Sequence, residues 1–158
     1  MSIQDTYTEG MKAPPPGTLT GSGETIDSFT GNAETDGIPF GRAVSRGTVA
    51  THGDNAVILG GTTALFRGVS IRDVTVKAGN DDEYKEYDNV GVLRKGEIWL
   101  EPSVAITAGD PVHFNGTTGV FTNTGGIGPI KGARWQTSCP LNGRAIAYFA
   151  GLEKLDGV

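Results

Sequence analysis

Apolar residues recur along this chain in short runs, each broken within a few residues by glycine, proline or an Asn-Gly pair. From Ile38 onwards the spacing is close to period two, the repeat of a half-buried β-strand. Phe40–Val49 predicts a strand with Phe40, Ala43 or Val44, and Val49 turned inward, and with Gly41 and Gly47 marking bulges or ends. His52–Asn55 reads as a turn, and Ala56–Leu59 as a short apolar strand stopped by Gly60-Gly61. Leu65–Ile71 predicts another strand with Leu65, Val69 and Ile71 on one face. Val74 and Val76 continue the alternation until Ala78–Asp81 ends it.

The second half of the chain is patterned more densely. Val90–Arg94 and Glu97–Leu100 read as a hairpin turning at Lys95-Gly96 and closed by Pro102. An Ala108–Pro111 corner leads to a hairpin, Val112–Phe114 and Val120–Phe121, around an Asn115–Gly119 loop. Thr122–Gly132 is a glycine-rich connection with little to bury. Ala133–Thr137 and Arg144–Phe149 bracket Asn142-Gly143, and the alternation puts Ala145, Ala147 and Phe149 on one face and Ile146 and Tyr148 on the other. Both faces of that strand are expected to be covered, as in the middle of a sandwich. The candidate core is Val44, Ile58, Val69, Leu93, Leu100, Phe114 and Ile146. No stretch sustains a helical period. Residues 38–158 therefore predict an all-β domain, a jelly-roll-like β-sandwich or a short β-barrel.

Residues 1–37 are patterned differently and predict an extended N-terminal arm. Pro14-Pro15-Pro16 fixes φ and removes backbone donors, so it reads as a stiff spacer outside any sheet. The scattered Leu19, Ile26 and Phe29 are candidate anchors on a partner surface. Asp81–Asp88 is the one charged cluster and predicts a solvated loop or short helical turn. It lacks the ligand order of a calcium loop, but its Tyr84 and Tyr87 are candidate interface residues, since tyrosine offers rigid area with a polar tip.

Composition narrows the function. Glycine accounts for 25 of 158 residues, roughly twice its usual share of about 7 %. That suits a sheet protein with many tight turns. The net charge of −5 and the lack of a Lys/Arg cluster argue against direct contact with nucleic acid. No run approaches the length of a membrane span, and MSIQDTYTEG has no signal-peptide pattern, so synthesis and retention in a cytoplasm are expected. The single Cys139 excludes an internal disulfide and is expected to be a buried thiol. Gly17–Gly23 supplies glycines without the lysine of a phosphate loop. There is no nucleophile elbow, and His52 and His113 have no carboxylate at motif spacing. The residues point to no catalytic, cofactor or metal site.

The Val-Leu-x-x-Gly-x-Ile strand at Val92–Ile98, the Ala-Gly-Asp-Pro-Val corner at Ala108–Val112 and the Gly-Val-Phe return at Gly119–Phe121 occur here in one order, after FGRAVSRGT at Phe40–Thr48. This arrangement resembles the capsid cement, or head decoration, proteins of tailed bacteriophages, over residues 38–152. The resemblance implies a structural protein on the outer surface of a virion capsid, assembled in the host cytoplasm. Its partners would be the major capsid protein and copies of itself, as a dimer or trimer, and it would stabilise the shell against internal DNA pressure. It implies no enzyme, cofactor, nucleic acid or membrane. The alternative is a carbohydrate- or surface-binding β-module of a phage tail or fibre, for which Trp99 and Trp135 are the candidate stacking residues.

Overall fold

The computed structural model describes residues 13–20, 26–48, 53–63, 65–73 and 83–151. Residues 1–12, Val49, His52, Val74, Val76 and Asp81 lie outside them. The described residues hold no helix; the fold is all-β, as expected. Its strands are β1 (Asp27–Ala33), β2 (Ile38–Pro39), β3 (Ala43–Arg46), β4 (Ala56–Leu59), β5 (Phe66–Ser70), β6 (Glu83–Tyr84), β7 (Asn89–Leu100), β8 (His113–Phe114), β9 (Phe121–Thr122), β10 (Ala133–Trp135) and β11 (Ala145–Ala150). The main sheet runs β1-β4-β3-β5-β7-β11-β10, and a further β1–β7 pairing closes its first five strands into a barrel. Beyond β7 the sheet continues as an open layer through β11 and β10. Both expected architectures are therefore present, joined through one strand.

That strand is β7, and here the structure corrects the expected hairpin. Val90–Leu100 runs without reversal through Lys95-Gly96. Gly96 is buried and adopts φ 134°, a backbone that side chains disfavour, while Arg94 is an extra residue where Asp27↔Lys95 steps to Ser28↔Leu93. A bulge followed by a glycine in a long strand bends it instead of ending it. The first half of β7 pairs with β1 on one edge and with β5 on the other through Val69↔Leu93. Its second half pairs with β11 from Ala145↔Leu100 to Ala150↔Lys95.

Two cores follow from this geometry. Val44, Val57, Val90 and Val92 fill the barrel, capped at one end by Ile38, Phe40 and Tyr84. The opposite face of β3, β5 and β7 carries Ala43, Val69 and Leu93 into a second core. There the layer packs on the β8–β9 hairpin through Phe66, Phe114, Phe121 and Phe149. Phe66 and Phe114 stack with centroids 5.1 Å apart, and Phe121 meets Phe149 edge-on at 5.9 Å. Of the expected core, Val44, Val69, Leu93, Leu100 and Phe114 are fully buried. Ile58 and Ile146 are only half-buried, because Val57 and the Ala145–Ala147–Phe149 row take the inward positions of their strands. Leu65 is exposed: Ser45 pairs with Phe66 and Val44 with Gly68, so Arg67 is an extra residue and shifts the alternation. The glycine-rich connection also buries more than expected, since Ile130 enters the second core.

The N-terminal segment is not a free arm in its described parts. β1 is a barrel strand, so residue 37 is not a boundary of the fold. Gly17 N donates to Trp99 O at 2.8 Å and Trp99 N to Thr18 O at 3.0 Å, which sets residues 17–20 along the edge of β7 opposite β11. Gly17 has φ +87°, its carbonyl accepts from Arg72 N at 2.9 Å, and a Cβ there would stand 2.9 Å from both Arg72 N and Gly41 N. Arg144 Nη1 holds Ala13 O at 2.9 Å. The prolines serve as a strap, because they need no donors where they cross the end of the sheet. Deleting residues through Gly37 should consequently abolish cooperative unfolding, since it removes the strand that closes the barrel. Gly17→Ala should lower stability by about 1 kcal/mol or more in a urea titration, whereas a segment detached from the domain would be indifferent to it.

Candidate interaction surface

The described residues gather no group of three His, Cys, Asp or Glu side chains that could hold a metal. His113 Nδ1 lies 2.9 Å from Gly125 O, within its own hairpin region. Cys139 is buried, and that burial pushes its thiol pKa upward, away from thiolate chemistry. Trp135 is fully buried and donates its indole N–H to Thr122 O at 3.2 Å, so it offers no stacking face. Among the described residues, the features that present themselves to a partner are large apolar side chains left in solvent: Ile26, Leu65, Tyr87 and Leu141.

The expected contact residues divide. Tyr84 is no contact residue: it is wholly buried, meets Phe40 edge-on at 5.2 Å and donates its hydroxyl to Ile71 O at 2.5 Å. The charged cluster folds inward at that point because β6 pairs with β2, Ile38↔Tyr84, across the end of the barrel. Leu19 is likewise turned to the protein, bridging to Ile98 and packing on the second core. Phe29 is half-buried against the barrel core. Only Ile26 and Tyr87 stand out in solvent, at opposite ends of β1.

The Ile26 end has its own electrostatics. Arg67 and Arg94 each place a guanidinium 5.6 Å from the centre of the Phe29 ring. The ring thus closes that mouth of the barrel between two cations, an arrangement worth on the order of 0.5–1 kcal/mol per pair at partly exposed sites. Arg94 Nη2 reaches Asp27 Oδ2 at 2.9 Å, while its Nε is buried without a hydrogen-bond partner among the described residues. Ile26 precedes β1 and Leu65 precedes β5, strands that pair with opposite edges of β7 around Val92–Leu93, so both positions lie towards the Gly96 end of that pairing. Leu65, Arg67 and Arg94 were not among the expected site residues. A bulge in β5 and a bulge in β7 decide where they point, and neither bulge has a residue signature of its own.

The sequence matches, over residues 3–150, the family described as Structural cement protein (E217 gp24/Pam3 gp6). This chain belongs to that family. Its role is accordingly that of a capsid-associated structural decoration protein of a phage virion. The fold is similar to a chain in the capsid of Myoviridae phage XM1, with a TM-score of 0.69 at 16 % identity, covering 90 % of this chain and 93 % of that one. It is also similar to the N base of head fiber gp8.5 of bacteriophage phi29, with a TM-score of 0.52 at 12 % identity, covering 80 % of this chain and 95 % of that one. No curated protein matches the sequence. The residues that carried the resemblance are the structural devices of the cement fold. Val92–Ile98 is the bend of β7, and Ala108–Val112 is a corner in which Asp110 Oδ2 accepts from Thr107 N at 3.0 Å and Asn123 Nδ2 at 2.8 Å.

The buried position of Tyr84 has a titration signature. Desolvation disfavours the phenolate and pushes the pKa up to about 12. Because the folded value lies above the unfolded one, the stabilisation is complete below pH 10 and declines as pH rises from there towards 12. A phenolate absorbance titration should show one late tyrosine near pH 12 that Tyr84→Phe removes. An early-titrating Tyr84 would mean that β6 does not cap the barrel.

Proposed function

We propose that this cement protein binds the outer surface of the capsid as a homo-oligomer, contacts the major capsid protein across capsomer boundaries, and so holds the shell against the pressure of packaged DNA. The observation that carries the reading is the family match across nearly the whole chain, residues 3–150. The physics supports it. A strap, a closed barrel and a second core fastened to one strand resist deformation, which a clamp between capsomers must do. A chain of net charge −5 gains nothing from DNA and is repelled by it, which favours the exterior. Repetition on a lattice multiplies modest contacts, so no single copy needs a large apolar interface.

The contact surface in this reading is the barrel mouth rimmed by Ile26 and Leu65, with Arg67 and Arg94 behind them. It joins exposed apolar area to cations held in place by Phe29, a composition found at protein interfaces. No catalytic step is part of this role. Oligomeric state, dimer or trimer, is read directly by sedimentation of the purified protein.

Heads made without the protein should assemble yet lose DNA sooner on heating or osmotic shock, and added protein should restore them. Ile26→Asp and Leu65→Asp should each weaken binding to such heads about tenfold, that is by about 1.4 kcal/mol. Both should change fold stability by less than about 0.5 kcal/mol, as exposed substitutions do. Heads equally robust without the protein, or its confinement to a tail tip, would replace this reading with the tail or fibre module.

A further inference from the structure

The open layer of β7, β11 and β10 has two faces, and one of them is core. Ile98, Leu100, Trp135, Ala145, Ala147 and Phe149 point into it. Alternation sends their neighbours to the outer face, and strand pairing sets those neighbours in rows across the layer. Glu101 and Arg144 form the first row, joined at 3.3 Å. In the second, Trp99 lies opposite Ile146, with Thr18 of the strap on one side and Gln136 on the other. Trp99 N donates to Thr18 O at 3.0 Å and Gln136 N to Ile146 O at 2.7 Å. In the third, Glu97 lies opposite Tyr148 and Tyr148 opposite Arg134. Thr20 Oγ1 completes that row by donating to Glu97 Oε1 at 3.2 Å.

An antiparallel layer with one solvated face carries polar side chains there. Here the centre of the face holds Trp99, Ile146 and Tyr148, each half-buried. The Tyr148 hydroxyl and the exposed Arg134 guanidinium make no hydrogen bond or ion pair with another described residue. The rows share a further property. Turned end for end and laid on itself, each row meets its own complement. The reversal sets Trp99 on Ile146 of a second copy and Ile146 on that copy's Trp99. It brings Glu101 to Arg144 in both directions. In the third row the Tyr148 hydroxyl comes to the Glu97 carboxylate, and Arg134 comes to Thr20 beside that carboxylate. Apolar area then faces apolar area and opposite charges face each other, the complementarity that fixes register at an interface.

We propose that this face pairs with the same face of a second copy, about a two-fold axis that runs parallel to the strands between β7 and β11. The inference rests on the homo-oligomer proposed above and deepens it. An isologous contact of this kind makes a dimer, and a trimer cannot be built from it. Sheets stacked with their strands aligned pack about 10 Å apart, which leaves room for the facing side chains. Four strand positions about 4.8 Å apart and three rows about 6.6 Å apart cover on the order of 400 Å² per copy. That is half of the roughly 800 Å² per partner of a standard interface, so the dimer is weak in solution and gains from repetition on a lattice.

Sedimentation equilibrium of the full chain, from micromolar to millimolar concentration, should show monomer and dimer with a micromolar to submillimolar dissociation constant. Ile146→Glu should weaken the dimer tenfold or more. Arg134→Glu changes an exposed side chain, so it should fold like the parent protein and still weaken the dimer severalfold. Adding Glu97→Arg to it restores opposite charges in that row and should recover the lost affinity, while Lys131→Glu, outside the face, should change nothing. A trimer overturns the inference, and so does a dimer that Ile146→Glu and Arg134→Glu leave intact; in that last case the homo-oligomer stands and its surface lies elsewhere. A monomer at every concentration overturns the inference and the homo-oligomer together, while DNA retention by heads tests cementing independently. If deleting residues 1–12, which lead into Ala13 at the Arg144 end of the face, is what creates the dimer, the occupant is the chain's own N-terminal segment and the inference falls. It falls equally if the chain is monomeric and Ile146→Glu abolishes binding to heads, since the occupant is then the shell.

Discussion

The structure depends on one strand being allowed to bend without ending. β7 hydrogen-bonds to β1 and β5 in its first half and to β11 and the Gly17–Thr20 segment in its second. A straight strand could serve the barrel or the layer, but not both, since barrel closure curves the sheet away from the layer's plane. The bulge at Arg94 and the positive φ of Gly96 supply the change of direction between the two halves. A β-branched residue at 96 would have to straighten or break the strand, separating the two cores. The glycine is therefore worth more than its missing side chain suggests.

The two cores share a wall, and that sharing explains the stiffness expected of a clamp. Ala43, Val69 and Leu93 look into one core while Val44 and Val92 look into the other, so β3, β5 and β7 are buried on both faces. Loosening either core exposes the back of the other. The β1 strand closes one core and, through Phe29, props the two guanidiniums at the barrel mouth. Rigidity and surface presentation are consequently the same set of bonds, and a contact residue such as Ile26 inherits the stability of the barrel behind it.

How much of this was legible in the sequence follows from which interactions are local. Alternation gave the strand character of Ala43–Arg46, within the longer run expected from Phe40, and of Ala56–Leu59 and Ala145–Phe149, and the Asn115 and Asn142 reversals, because pleat and turn chemistry act within a few residues. Asn142 takes its turn with φ 68°, as an asparagine readily does. Lys95-Gly96 was misleading because glycine with positive φ serves a turn and a bend equally, and only the partners of β7 decide which. β1 was hidden for a related reason. Its seven residues, DSFTGNA, carry just Phe29 and Ala33 as apolar side chains, and its place is fixed by hydrogen bonds to β7 and β4. Tyr84 looked solvated among acids because its burial comes from β2, far away in the chain. The family resemblance succeeded where residue roles did not, because glycines and turns record the fold more faithfully than exposed residues record a partner.

The modest look of the proposed contact surface is itself consistent with cementing. A partner held by a single interface needs a large apolar patch, which would make the free protein prone to associate with itself before reaching its shell. Many copies on a closed lattice change that requirement, since each interface adds to a sum and the loss of one is held by its neighbours. A rim of two apolar side chains and two braced arginines can then suffice.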